Sequence, residues 1–255
     1  MPKPNIFKFA FFYAFDNSIG YLANMASEER WTFSDEPSKP NFILKNYLEY
    51  TYVKLEQENK IKKSTNGQYA AFNTGLLTNK LEDIFAFFEK NRKQNQSEYY
   101  FKAFVKNSDT EFLKYFAGNN TPEQADYFFH PEFLIFNPKL PIYPDYDHII
   151  EDNKKRFPVE FQMFNDEYLK SIIEGSITTL IKKVRNNYKL AVPQYYDKKI
   201  QLLLPLSISG SSKPDLALVL NRSDDHYRAS TCLTIKMAYG NARLIVKPES
   251  NWLQP

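Results

Sequence analysis

The sequence predicts an α+β fold in which helices in the first two-thirds of the chain pack against a mostly antiparallel C-terminal sheet. Two observations support this prediction. Apolar residues recur every three to four positions in segments 41–61 and 165–188, which is typical of amphipathic helices. Three apolar runs, 200–208, 215–223 and 227–237, then follow one another across short polar turns, as in an antiparallel meander.

The first half of the chain contains further predicted elements. The run from Ile6 to Phe15 is too short for a membrane helix, which needs about 20 apolar residues, and is interpreted as a buried strand or short helix. Asn41 is the expected N-cap of the 41–61 helix. Residues 78–90 are predicted to form a second helix, which has Leu81, Ile84, Phe85 and Phe88 on one face.

Strands and loops complete the prediction. Segments 68–76 and 98–105, rich in aromatic and small residues, are expected to be strands. Residues 107–163 are rich in proline and asparagine and should form ordered loop with short helices. The chain is expected to be a single domain, 1–255, with a weak subdivision near 107–163 as the alternative. For residues 238–245, the sequence does not distinguish between a helix and a further strand.

Composition excludes several classes of protein. A single cysteine, Cys232, excludes an intramolecular disulfide framework and favours a reducing, cytoplasmic location. The three histidines, His130, His148 and His226, lie far apart and lack metal-ligand spacing, and no glycine-rich phosphate loop is present. We therefore expect no metal, no cofactor and no membrane partner. A net charge of +3 is too small to indicate nucleic-acid binding by itself.

The stretch KKVRNNYKLAVPQYY, residues 182–196, concentrates cations and aromatic rings. At helical spacing, Lys182, Arg185, Asn186 and Lys189 lie opposite the apolar stripe of the 165–188 helix. Arginine and lysine next to tyrosine can pair with phosphates while the rings stack on bases. Cations in a last helical turn also complement the helix dipole. The pattern leaves both interpretations open.

His148 is the histidine with the most suggestive neighbours. Asp147 precedes it and Asp152 follows four residues later, so a carboxylate could orient the imidazole as a general base. A histidine among acidic residues is also a common hydrogen-bonding residue of loops. His148 is the candidate catalytic residue on the first interpretation alone.

Several phrases of the sequence resemble one protein family. They are YAAFNTGL, DHIIEDNKKRFP, VRNNYKLAVPQYY, IQLLLPL, YRASTCLTIKMAYGNARLI and PESNWL, in this order between about Gly20 and Leu253. Together they resemble the bacterial domain-of-unknown-function family thirty-eight twenty-five. The family has no established activity, so the resemblance implies no reaction. Its members are similar to proteins that carry cold-shock or LOTUS-type RNA-binding modules, which implies an RNA-related setting.

The positions that match the family's motifs supply the candidate site residues. Besides His148 they are Asn73, Thr74, Arg156, Arg185, Asn186, Tyr188, Gln194, Arg228, Asn241 and Arg243. The first hypothesis is an RNA- or nucleotide-binding protein with a cleft lined by arginine and aromatic residues. Arginine forks match phosphate oxygens, and His148 could move a proton, so metal-independent phosphodiester or nucleotide processing is part of this hypothesis.

The alternative is a non-catalytic structural or protein-interaction module of an RNA-associated or defence complex. In this case the same arginines and asparagines would tie helices to the sheet through buried hydrogen bonds. Arg243, flanked by Ala242 and Leu244, fits this role best. The sequence leaves open whether the protein is an enzyme, whether the ligand is RNA or a small nucleotide, and what the oligomeric state is.

Overall fold

The computed structural model describes residues 6–92 and 97–255, which form two compact units. One unit extends to Asp126 and the other comprises Tyr127–Pro255. Within the described residues, each unit is built around a five-stranded sheet. The boundary lies inside the segment 107–163, and the expectation of a single domain stays a prediction.

The first unit combines short and long helices with a sheet of order β1-β5-β4-β3-β2. Its elements are α1 (Ile6–Phe9), β1 (Ala10–Phe11), α2 (Phe15–Met25), α3 (Phe42–Gln57), β2 (Lys62–Lys63), β3 (Tyr69–Leu77), β4 (Asp83–Lys90), β5 (Tyr99–Lys106) and α4 (Thr110–Leu113). All strand pairs are antiparallel except β1 with β5. The long helix and the strands predicted at 68–76 and 98–105 are confirmed.

Aromatic residues cover both faces of the first sheet. On one face, the ring of Tyr52 on α3 packs against Phe72 on β3, with 5.8 Å between ring centroids. On the other, Phe85 of β4 stacks on Phe112 of α4 at 4.6 Å. Since both faces are buried, the central strand β4 is apolar at five consecutive positions, 84–88, rather than at alternate ones.

One local prediction in this unit is wrong, and another is correct in position only, since Asn41 is the N-cap residue of α3. Residues 78–90 are not a helix, because Thr78 makes a bridge to Ala26 and the chain then turns at Leu81, whose φ is 62°, into β4. The hydroxyl of Thr78 accepts a hydrogen bond from the Glu82 amide at 3.2 Å and closes this turn. Asn41 does not cap α3 through its side chain; it adopts a left-handed conformation with φ of 55°.

The second unit has a sheet of order β6-β10-β9-β8-β7. Its elements are β6 (Ile142–Pro144), α5 (Tyr146–Glu151), α6 (Val159–Gln162), α7 (Asp166–Asn186), β7 (Val192–Tyr196), β8 (Lys199–Leu206), β9 (Leu216–Arg222), β10 (Tyr227–Leu233) and α8 (Ile235–Arg243). The strands pair antiparallel except β6 with β10. The region 107–163 forms loops and short helices, as predicted, and it also contains the short strand β6, which the sequence pattern does not predict.

Helix α7 covers one face of the second sheet. Asn165 caps its N-terminus by accepting a hydrogen bond from the Tyr168 amide at 2.8 Å. The apolar stripe of α7, from Leu169 to Val184, is buried with alternate residues of β8 and β9, among them Leu204 and Leu218. Helix α8 lies against β7, β9 and β10, and residues 238–243 belong to this helix.

The fold class is therefore α+β, as predicted, but the predicted arrangement is wrong. Helices alternate with strands along the chain, and five strands lie before residue 107. The prediction placed the sheet near the C-terminus because the aromatic strands of the first unit lack strict alternation, whereas the leucine-rich strands of the second are easily recognised. No helix in the described part of the chain combines the length and apolar character of a membrane span.

Candidate functional site

One face of the second sheet carries a row of polar and aromatic side chains. Side chains alternate along a strand, so the residues between the α7-facing leucines point to the opposite face. Strand pairing aligns one such residue from each strand, namely Tyr143, Arg228, Asn221, Gln201 and Gln194. We call these five residues the polar row. It crosses the whole sheet from β6 to β7.

Side-chain amides connect the polar row into a chain of hydrogen bonds. The Asn241 amide of α8 donates to Gln194 Oε1 at 3.0 Å, and Gln194 Nε2 donates to Gln201 Oε1 at 2.7 Å. Gln201 Nε2 then donates to Asn221 Oδ1 at 2.7 Å. Gln194 is 1% exposed, so these bonds compensate for the burial of its amide. They also hold Gln201 and Asn221 in one orientation.

A second row lies next to the polar row, two residues further along each of the strands β7 to β10. It consists of His226, Ser223, Lys199 and Tyr196, and we call it the outer row. Tyr196 pairs with Lys199 across a two-residue turn in which Asp197 and Lys198 have φ of 48° and 63°. Tyr196, Lys199 and Ser223 are exposed and His226 is half-buried. Together the two rows form the open half of this sheet face.

A polar pocket of about 540 Å³ lies at the β6 edge of the sheet, where residues of the polar-row face meet Lys170 of α7. It is lined by Tyr143, Pro144, Asp145, Tyr146, Asp147, Lys170, His226 and Arg228. The ring of Tyr143 contacts the imidazole of His226 edge to face, with 5.5 Å between centroids. This volume lies within the range of about 300–1,000 Å³ that is common for small-molecule sites. The pocket is continuous with the polar row through Tyr143 and Arg228.

An ion pair orients the arginine of the pocket. Arg228 Nη2 donates to Asp145 Oδ2 at 2.6 Å, and the side chain of Arg228 is 57% exposed. The guanidinium holds the pKa of the Asp145 carboxyl below its ordinary value. A guanidinium has five N–H donors, so this contact leaves others for a ligand.

His148 lies close to this ion pair along the chain but is directed elsewhere. Its backbone amide donates to Asp145 Oδ1 at 3.3 Å, whereas its ring Nδ1 lies 2.5 Å from Asp152 Oδ2. This hydrogen bond raises the pKa of His148 above its ordinary value. A raised pKa leaves a smaller fraction of the imidazole unprotonated at neutral pH, so less of it is available to act as a general base. The pocket described above is lined by His226 and not by His148.

Comparison with known protein families gives a match over most of the chain. Residues 22–252 match the model of a family described as a domain of unknown function, DUF3825. The chain belongs to this family. No curated protein and no solved structure matches the chain. Membership of DUF3825 confirms the family expected from the sequence and assigns no activity.

Two of the residues that match DUF3825 motifs lie inside the second unit. Arg156 contacts the end of the sheet, and Arg243 is buried in α8. Arg156 Nη1 donates to the carbonyl of Cys232 and to Asn153 Oδ1, both at 2.5 Å. Arg156 is therefore bonded to the C-terminal part of β10, beyond the residues of β10 that pair with β6. Arg243 in α8 is 8% exposed. Burial raises the pKa of the Cys232 thiol to about 12, so this cysteine is not an activated nucleophile.

Asn73 and Thr74 lie on β3 in the first unit, where both are buried. Asn73 Oδ1 accepts from the Gly75 amide at 2.8 Å, and the Thr74 hydroxyl donates to the Ile84 carbonyl at 2.7 Å. Gly75 has φ of 73°, and a Cβ at this position would lie 2.6 Å from the Tyr47 hydroxyl oxygen. These contacts stabilise an irregular turn of the strand, where the pairing with β4 is interrupted.

The basic stretch 182–196 divides into an exposed and a buried part. Arg185, Asn186 and Tyr188 are exposed at the end of α7, whereas Gln194 enters the polar row. Trp252 Nε1 donates to the carbonyl of Leu190 at 2.9 Å, which ties the C-terminal segment to this region. Thus the structure places Gln194, Asn241 and Arg228 together on one sheet face and leaves Arg185, Asn186 and Tyr188 on the helix end.

Sequence reasoning missed several residues of the open sheet face. Tyr143, Lys199, Gln201, Asn221 and His226 were not predicted, although Gln201 and Asn221 are polar positions at the ends of otherwise apolar strands. Their proximity depends on strand register, which a single sequence does not reveal. Among the described residues, no three His, Cys, Asp or Glu side chains are arranged to hold a metal ion.

Proposed function

We propose that the second unit binds single-stranded RNA on the open half of its sheet face. The observation that supports this most strongly is the alignment of the polar row and the outer row. It brings two exposed tyrosine rings, two cations and two oriented amides onto one surface. Single-strand binders combine the same groups, because rings stack on bases and cations follow the phosphates.

The two tyrosines are the proposed stacking platforms. Tyr143 is 59% exposed and Tyr196 is 39% exposed, so both rings are accessible. They lie on opposite edge strands, and neighbouring strands are about 4.8 Å apart, which separates the rings by roughly 20 Å. One base cannot contact both rings at this distance. The spacing therefore favours a strand of several nucleotides over a mononucleotide as the ligand of the whole face.

The remaining groups suit the backbone and the base edges. Lys199 and Arg228 would contact phosphates, and Arg228 is already oriented by Asp145. Gln201 and Asn221, held by the amide chain, would present polar atoms to the bases. We propose binding and no reaction, since the exposed His148 is bonded to Asp152 and lies outside the pocket that holds Arg228.

The test is binding of a 12-nucleotide single-stranded RNA with hydroxyl ends, followed by fluorescence anisotropy between about 50 and 200 mM salt. Affinity should fall as salt rises, with a slope of about −0.7 for each phosphate contacted. Lys199→Gln should make the slope less steep by about 0.7, for the loss of one contact. Lys213→Gln, in the exposed loop after β8, is the control and should keep the slope. Salt-independent binding, or none, would contradict the proposal.

A second function is supported for some of the DUF3825 positions. Asn73, Thr74 and Arg156 direct their polar atoms to backbone groups within their own units. This pattern supports a structural role for these three residues, as in the alternative of a structural or protein-interaction module. Arg156→Gln should then lower stability while leaving RNA affinity of the folded protein unchanged. Reduced affinity at unchanged stability would instead place Arg156 in the binding surface.

A further inference from the structure

The pocket at the β6 edge has a composition that differs from the rest of the open face. Two cationic side chains from separate elements of the second unit line it, Arg228 on β10 and Lys170 on α7, and His226 lies just before β10. Convergence of cations from distant parts of a chain on one concavity is a common arrangement for binding phosphate. Lys199 is the lysine of the outer row, and His226 belongs to both the outer row and the pocket.

The pocket lies at one end of the polar row, where the end of an RNA strand bound along the row would be located. The polar row runs across five strands and reaches the pocket at Tyr143 and Arg228, on the last two strands. Beyond β6 the pocket is bounded by Tyr146 of α5 and by Lys170, whose ammonium lies 5.7 Å from the Tyr146 ring centroid. A strand that follows the row therefore meets side chains of two helices at this edge.

We infer that this pocket binds the terminal phosphate monoester of an RNA strand that lies across the sheet face. The inference rests on the proposed function, because the row delivers the strand end to the pocket. Lys170 and the free N–H groups of Arg228 contact the terminal phosphate oxygens, and the Tyr143 ring stacks on the last base. A monoester carries up to two negative charges, whereas an internal phosphodiester carries one.

The pocket also contains two acidic residues, of which one, Asp147, should affect phosphate binding in the opposite way to the cations. Asp145 is paired with Arg228 and orients it, so it belongs to the site. Asp147 is exposed and also lines the pocket, where its carboxylate opposes an incoming phosphate. Removing the charge of Lys170 should weaken phosphate binding, and removing the charge of Asp147 should strengthen it. A role for these residues in stability alone would not produce opposite changes in preference for a phosphorylated end.

The experiment compares three 12-nucleotide RNAs of one sequence, with a 5′-phosphate, with a 3′-phosphate, or with hydroxyls at both ends. We expect one or both phosphorylated RNAs to bind about tenfold more tightly than the hydroxyl-ended RNA. Lys170→Gln should remove this gain and leave the hydroxyl-ended affinity nearly unchanged. Asp147→Asn should increase the gain, and Lys213→Gln, outside the pocket, should preserve it.

The outcomes separate this inference from the proposed function. A preference for either phosphorylated end that depends on Lys170 supports the pocket and identifies the end that it holds. Equal affinity of all three RNAs, or an equal loss in Lys170→Gln and Lys213→Gln, overturns the pocket while sheet-face binding stands. If hydroxyl-ended RNA does not bind at all, the proposed function fails. Inorganic phosphate then tests the pocket: protection of Lys170 from acetylation supports it, and unchanged acetylation overturns it.

Discussion

The two sheets of this protein use their faces differently. In the first unit, aromatic residues cover both faces, and the rings of β3 and β4 are buried against helices. In the second unit, leucines cover the face toward α7, whereas the opposite face is covered by α8 over part of its area. The remainder carries the polar and outer rows. A high aromatic content therefore does not by itself indicate stacking on bases, because only an exposed ring is accessible to a base.

The comparison also concerns how each sheet accommodates a buried side-chain amide: Asn73 on β3 accepts from the Gly75 backbone amide, and Gln194 on β7 is bonded to other side-chain amides. A strand buried on both faces has no position for a glutamine that lacks partners, because an unpaired buried amide is costly. The second sheet admits Gln194 because Gln201 and Asn241 satisfy its amide group. The polar row is thus a part of the fold and a binding surface in our proposal.

The largest effect that we expect is a loss of stability when a buried aromatic ring of the first sheet is removed. Phe88 is fully buried and its ring lies 5.6 Å from that of Phe72. Phe88→Ala should lower the free energy of unfolding by about 3–5 kcal/mol, measured by urea denaturation. The exposed Tyr143→Ala should change it by about 0.5 kcal/mol or less. A large loss of RNA affinity in folded Phe88→Ala would break the distinction between the two sheets.

A smaller loss of stability is expected within the polar row. Gln194→Ala removes the partner of Asn241 Nδ2 and of Gln201 Oε1, and should cost about 1–3 kcal/mol. The exposed Gln68→Ala in the first unit is the matched control and should be close to neutral. Urea unfolding of both variants checks this expectation. Equal stability of the two variants would show that the amide chain does not support the sheet face.

The smallest effect concerns the exposed pair of His148 and Asp152. The hydrogen bond raises the pKa of His148 in the folded protein, so its contribution to stability is present below pH about 6.5. It is lost as pH rises through the raised pKa. Asp152→Asn should therefore destabilise the protein more at pH 6 than at pH 9, in urea unfolding. Glu151→Gln, its neighbour in sequence, should show no such difference between the two pH values.

Local pattern predicted the elements whose periodicity is unambiguous. The stripe from Leu169 to Val184 identified α7, and the leucine-rich runs identified β8 and β9. The sequence of residues 78–90 predicts a helix because Ile84, Phe85 and Phe88 fit helical spacing as well as they fit a strand that is buried on both faces. The pairing of β4 with β3 and β5 decides between these structures, and pairing partners are distant in sequence.

The candidate site was predictable only in part, for the same reason. Motif resemblance selected Gln194, Asn241 and Arg228, which the structure places on one face. Their partner Gln201 is seven residues from Gln194, and Asn221 is 20 residues from Gln201. Neither separation in sequence predicts a contact unless the register of β7, β8 and β9 is known.

The most direct test of the sheet face as an RNA-binding surface is the affinity of two double variants for hydroxyl-ended RNA. Tyr143→Ala with Tyr196→Ala removes both proposed stacking rings. Tyr13→Ala with Tyr21→Ala removes two exposed rings of the first unit, 96% and 57% exposed, and is the control. At about 1–3 kcal/mol for each stacked base, the first pair should bind at least about 30-fold more weakly than the unmodified protein. The control should bind normally. Affinity within about twofold of the unmodified protein for the first pair, or an equal loss in the control, would contradict this account.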